Sequence, residues 1–600
     1  MTAVGRRAAL AILLATLVLS SATCGPSMHQ PPAAPVVLAD GAGAVRVTYD
    51  QDDLDAGWDD VSATHITLEG ETARVDGPGA GVSRNVVELT SGGTYVVSGT
   101  LNDGQFRVDA PNTDTVRLVL NGADIACFLS APILVLNAGK TVLTLAEGTA
   151  NRVSDVVAAA GEDAASALPN AAIYSHDDLT INGGGSLTVT ARYYNGIQCQ
   201  DNLKITGGTI TVDAVNDGVR GRDSIAVRDG SITVKAGGDG MQSGNDVDAG
   251  KGFVLIEGGT LSIDAALDGI QAETSIVVSG GSLAVTSGAG HTFRPDEDSY
   301  DDWDDETSAG VPGPSTRGLK AGAEVLLAGG IISVDSFDDA VHCGGRVVVS
   351  GGAITLASAD DGIRAVESFD VSGGDLRITA CYEGIESAVV AVSDGTVHIA
   401  AKDDGINIRG ALTYDEENDR DAVGRRLLEI SGGYLAIECG GDGVDVNGRM
   451  VMTGGVAVLS TSSHGDNAVD YMRSCTMNGG VLVAAGGLQR AQAPGTASAQ
   501  PSIKVDFPGS LPARTLFHLR TRDGEELLTC APPRNYQSMV FSSPALAAGM
   551  DCVIYTGGTS TGAAVDGLYS GGEYTPGSEF ASFTLSGVVT VVRRSSGVPA

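Results

Sequence analysis

"NDGVRGRDSIAVRDGSITVKAGGDGMQSGNDV", Asn216 to Val247, writes one pattern twice. An acidic residue precedes a glycine, an aliphatic residue follows it, and a second glycine introduces an alternating apolar run. The first glycine stands at Gly196, Gly218, Gly240, Gly269, Gly318, Gly362, Gly384, Gly405 and Gly443, with Ala340 and Ala468 in its place twice. The uninterrupted spacing is 22 residues, as from Gly196 to Gly218 to Gly240. Longer intervals carry insertions, among them "GNDVDAGKG", an acidic run, and "ALTYDEENDRDAVGRR".

The residue after the first glycine is apolar in all eleven coils, from Ile197 and Val219 to Val444 and Val469, so this column faces a core. Pairs spaced by two, such as Ile232 with Val234 and Ile225 with Val227, supply two further inward strands. Three short strands per coil of about 22 residues predict a right-handed parallel β-helix, the hand following from the crossover rule. Coils stacked about 4.8 Å apart make eleven of them roughly 50 Å long. A solenoid also accounts for a chain of 600 residues with 83 glycines and only 4% aromatic residues.

Around this repeat the sequence divides into a signal peptide over 1–22, an acidic linker over 23–65, the β-helix over 66–490, a linker over 491–502 and a small C-terminal β domain over 503–600. The first segment has Arg6 and Arg7, an apolar run from Ala8 to Leu19 and small residues to Ala22, the layout of a secretory signal, so a secreted or cell-surface protein is expected. Cys24 leaves a lipid anchor open. No other stretch is apolar enough for a membrane helix. A net charge of -37 disfavours nucleic acid as a partner, and a monomer is expected. Of the cysteines after Cys24, Cys530 and Cys552 are the best candidates for a disulfide, both lying in the C-terminal region.

Two polar columns run beside the apolar one. The residue before the first glycine is Asp217, Asp239, Asp268, Asp339, Asp361, Glu383, Asp404 or Asp442 in most coils, and Asp338, Asp360 and Asp403 add a second acid. Asp before Gly suits an Asx turn, which explains any single case. Stacked carboxylates about 4.8 Å apart repel by roughly 3 kcal/mol at an effective dielectric near 20, and calcium tolerates such crowded oxygen ligands. Asp217, Asp239, Asp268, Asp338, Asp339, Asp360, Asp361, Asp403 and Asp404 are therefore the candidate calcium ligands. Two positions after the glycine stand Arg220, Gln242, Gln271, Lys320, His342 and Arg364, outward donors suited to sugar hydroxyls and carboxylates. The same column ends in Glu386, Asn407, Asp445 and Asp470, which would repel an acidic sugar. Trp303, inside "DEDSYDDWDDE", could stack on a sugar ring, although such insertions are commonly solvated loops, and Trp58 in "QDDLDAGWDD" has a similar setting.

The succession "DDLDAGWDD" before "ITLEG", then "NAAIYSHDDLTINGGGSLTV", "DNLKITGGTITVDAVNDGV", "ADDGIRA" and the terminal "YTGGTSTG" and "DGLYSGGEYTPGSEFASFTLSGVVT" resembles the bacterial secreted carbohydrate-binding β-helix family, whose members are polysaccharide-lyase-like. The resemblance runs from about Asp50 to the end. It implies a right-handed parallel β-helix, calcium binding, and affinity for cellulose and acidic sugars such as polygalacturonate. The expected function is polysaccharide binding. A calcium-dependent pectate lyase is the alternative, with Lys320 as the base and Arg317 beside it to disfavour its charged form, and a structural or adhesive surface protein is the second alternative.

Overall fold

The computed structural model describes residue 45 and residues 47–155, 169–291, 314–409, 425–462 and 467–593. The repeat quoted above folds into three strands per coil: Val219–Gly221, Ser224–Val227 and Ser231–Ala236, then Met241–Ser243, Phe253–Ile256 and Thr260–Ala265. Each strand pairs in parallel with its counterpart one coil on, Val219 opposite Met241, Ile225 opposite Val254 and Ile232 opposite Leu261. The chain is therefore a parallel β-helix. Parallel pairing begins at Thr64–Gly70, two coils and more before the regular repeat.

The inward columns form one continuous core from Ile66 to Ala484, joined at the far end by Val540. Burying each Val, Leu or Ile contributes about 1.5–3 kcal/mol, which is where the stability of the solenoid resides. The two glycine columns have different causes. A Cβ on Gly218 would collide with the Val234 side chain and the Gly240 carbonyl, so the first glycine lets one coil approach its neighbour. Gly230, in the second column, has φ 119, a backbone that L side chains rarely adopt.

The acidic stretch before the helix is packed against it where it is described. Gln51–Leu54 form one helical turn capped by Asp50, and the fully buried Asp53 carboxylate receives Lys140 Nζ at 2.9 Å, Lys204 Nζ at 2.8 Å and Thr180 Oγ1 at 2.6 Å. Burial opposes its charge, but the bonds from Lys204, Thr180 and Lys140 hold Asp53 down at about 2. Val45, Val47 and Tyr49 continue onto an apolar patch made by Ala226, Phe253, Leu255, Val277 and Leu326 on the outside of the coils. Trp58 packs on Ala63, Val96, Val119 and Ala146, so one side of its indole is covered.

At the other end Ser474–Gly486 pairs antiparallel with Tyr536–Ser542, which pairs with Ser502–Leu511, which in turn pairs with Val589–Arg593. These strands cover the edge that the last coil would otherwise expose. A second, six-stranded antiparallel sheet stands beside them. The expected pairing of Cys530 with Cys552 is not present: both are buried free thiols. They flank strand Phe517–Thr521 on opposite sides, Cys530 opposite Phe517 and Cys552 opposite Thr521. Four residues along a strand is about 13 Å, well beyond the reach of a disulfide.

Candidate functional site

Asp217, Asp239, Asp268, Asp339 and Asp361 of the acid column are buried, and several of its carboxylates reach along the helix axis. Asp217 Oδ1 accepts the N–H of Asp239 at 3.1 Å, Asp239 Oδ1 that of Asp268 at 3.0 Å, and Asp268 Oδ1 that of Arg317 at 2.9 Å. Asp339 Oδ1 takes the Asp361 N–H at 3.3 Å and Asp404 Oδ1 the Asp442 N–H at 2.6 Å. Asn195 does the same for Asp217 at 3.1 Å with an amide oxygen. The column is a ladder that satisfies backbone donors which the first strand of each coil would otherwise bury without partners.

The second carboxylate oxygen faces the outward column. Gln242 Nε2 donates to Asp239 Oδ2 at 2.8 Å, Lys320 Nζ to Asp268 Oδ2 at 2.9 Å, and His342 Nδ1 lies 2.7 Å from Asp339 Oδ2. Arg220 lies 3.5 Å from Asp217 Oδ2, and Gln242 also donates to Gln271 Oε1 at 3.1 Å. The outward donors thus hydrogen-bond the acids beside them, although burial and then the Asp217 and Asp268 charges still push Asp239 up to about 7. Asp217, Asp239 and Asp268 have both oxygens engaged, which leaves them poor ion ligands. Lys320 presents a proton to Asp268, whereas a base presents a lone pair. Arg317, expected beside Lys320, is turned to Asp338 and Asp339 at 3.3 and 3.4 Å.

Farther along, the acids crowd together. Asp361, Glu383 and Glu386 each place an oxygen within 4.8 Å of the other two. Arg364 lies 3.6 Å from Glu386. Burial first, then repulsion from Asp339, Asp360, Glu383 and Glu386, pushes Asp361 well above the carboxylate range. Burial and the Glu386 charge push Glu383 up to about 8. Asn407 donates Nδ2 to both Glu383 oxygens at 3.1 and 3.2 Å, while its buried Oδ1 has no partner. Three carboxylates and an orphaned amide oxygen form an all-oxygen donor set of the kind calcium takes.

Asp338, Asp339 and Asp360 form a second such group. Here Arg317 already supplies positive charge, and His342 lies within hydrogen-bond distance of Asp339. Burial opposes it, but the His342 and Arg317 contacts hold Asp339 below its usual range, while burial and the Asp339 charge push Asp360 to about 7. Asp403 and Asp404 lie over Gly441, and Asp404 is raised to about 8, first by burial. Trp303 falls outside the described residues, as do Cys24 and the signal segment. Glu383, Glu386 and Asn407 escaped the sequence reading as ligands because they lie in two columns assigned to separate tasks. The signal was nevertheless present: acids at one position and three residues later in neighbouring coils, with only one cation between them.

A model of the family described as carbohydrate-binding domain-containing protein matches residues 83–362 and 359–577. A carbohydrate-binding domain-containing protein of Acetivibrio thermocellus is 44% identical over 156 residues, covering 26% of this chain and 54% of the relative, so the chain spans about half of that relative's length. A solved structure, the polysaccharide lyase-like protein from C. thermocellum as a gadolinium derivative, is 40% identical, covers 36% of this chain and 89% of its own, and has a TM-score of 0.35.

Proposed function

The chain belongs to the carbohydrate-binding domain-containing family, and from that premise we propose that it is an exported protein that binds acidic polysaccharide along its β-helix, with calcium held by Asp361, Glu383 and Glu386. The observation that carries this reading is the cluster itself: a buried Asp361 with the half-buried Glu383 and Glu386, each offering an oxygen within 4.8 Å of the others, beside an unpartnered amide oxygen. Calcium bound there would neutralise the acids and supply a coordination position for a sugar carboxylate. Arg364 and His342 stand in the outward column next to the cluster and orient a glycan by hydrogen bonds to its hydroxyl and carboxylate groups. Polygalacturonate is the preferred ligand class, and cellulose, which carries no charge, is the comparison.

The test is co-sedimentation with insoluble polygalacturonate and with cellulose, in calcium and in chelator. Polygalacturonate should retain the protein more strongly in calcium than in chelator, because a chain of net charge -37 repels a polyanion less where a cation intervenes. Retention by polygalacturonate that is equal in both buffers would refute the role of the ion. Unsaturated uronide released during the incubation would make the protein a lyase instead.

A further inference from the structure

We propose a second saccharide site, distinct from the acid ladder, in the groove between the outer face of the last coils and the C-terminal sheet, and we infer that it takes a sugar unit bearing a carboxylate. This deepens the polysaccharide-binding reading and rests on it. The groove encloses about 530 Å³, within the usual range for small-ligand sites.

Its floor is the outward side of a different row of strands from the ladder. Arg377, His398, Ala436 and Val458 lie in register across it, with Ala400, Glu438 and Ser460 as the parallel row. Arg514, Pro533 and Tyr569 line it from the C-terminal side. One end is clasped. Asp566, in a left-handed conformation at φ 48, accepts from Tyr434 Oη at 2.8 Å and from His398 Nε2 at 3.1 Å. An ionised carboxylate only accepts, so Nε2 carries the proton, and in the neutral ring Nδ1 is left as an acceptor.

Three features of this lining ask for a ligand. His398 Nδ1 is buried without a hydrogen-bond partner. Ser460, only 3% exposed, has a hydroxyl in the same condition. Both suit sugar hydroxyls, which donate and accept. Third, the cations are unequally engaged: Arg377 is held by Asp375 at 3.2 Å and Arg534 by Glu438 at 3.4 Å, whereas Arg514 has no ion pair among the described residues. In so acidic a chain an exposed guanidinium at the mouth of a groove is a selective handle for a carboxylate. Ala400 and Ala436 leave a flat aliphatic floor for the apolar face of a pyranose ring, and Tyr569 supplies an aromatic wall.

The experiment is a titration of full-length protein with digalacturonate in chelator, which removes the contribution of any ion at the ladder. Wild type should bind. Arg514→Asn, chosen because Asn tolerates the φ of 62 at this position, and Ser460→Ala should each bind about tenfold more weakly, as the loss of a hydrogen bond to a charged or buried group implies. Matching unfolding midpoints would show that both variants are folded. Digalacturonate binding in chelator that is unchanged in Arg514→Asn and Ser460→Ala overturns the proposal. Its absence from wild type in chelator, with polygalacturonate still retained in calcium, overturns the groove and leaves the ladder reading intact. Absence of both in wild type removes the two together.

Discussion

Each aspartate of the ladder has two oxygens with separate tasks, one for the backbone of the next coil and one for a side chain of the outward column. The first task needs an oxygen and no charge, as Asn195 demonstrates. Asp217→Asn should therefore fold with nearly unchanged stability, whereas Asp217→Ala leaves the Asp239 N–H buried and unsatisfied, at a cost of about 1–3 kcal/mol. Urea unfolding of the two variants checks this, and equal losses would mean that the charge, not the acceptor, matters at this position. The column was legible in the sequence because identical positions recur every 22 residues between Gly196 and Gly240. The direction of each oxygen was not, since spacing says nothing of which neighbour a carboxylate faces. For the same reason Glu386 read as a residue that repels sugar, when it stands opposite Arg364 and joins Asp361 and Glu383.

Among the elements, the one-turn helix Gln51–Leu54 does the most with the fewest residues. Its Asp53 binds two lysines from different coils, and Arg117 donates to the Asp55 carbonyl at 2.7 Å, so the segment ties neighbouring coils together from outside. Removing one partner of a buried ion pair typically costs 3–5 kcal/mol, so Asp53→Ala should lower unfolding free energy by about that amount. A loss below about 1 kcal/mol in urea unfolding would mean that the segment only rests on the helix. The pH dependence has a definite sign. The Asp53 pKa is depressed, so its contribution is present above its unfolded value of 3.8 and disappears as pH falls through about 2. Composition alone made this stretch read as a linker because its partners, Lys140 and Lys204, lie far along the chain. The inward strands were legible because alternation in Ser231–Ala236 reports a local property.

Taken whole, the molecule is a solenoid whose acid ladder stacks coil on coil, with carboxylates raised at Asp239 and again at Asp360, Glu383 and Asp404. The raised carboxylates set the behaviour in solution. Glu383, lifted from 4.5 to about 8, binds its proton more tightly in the folded state, so its favourable contribution is complete below about pH 4.5 and is lost as pH rises through about 8. Asp360 and Asp404, raised to about 7 and about 8, act in the same sense. An ion that binds only the folded protein replaces those protons and restores the stability by mass action. The decisive measurement is the melting temperature between about pH 5 and 9, in chelator and in millimolar calcium, for wild type and Glu383→Gln. In chelator the wild-type value should fall as pH rises, calcium should largely abolish that fall, and Glu383→Gln should show both a weaker fall and a reduced response to calcium. A wild-type curve that is identical in chelator and in calcium across this range would contradict the assignment of a divalent ion to Asp361, Glu383 and Glu386.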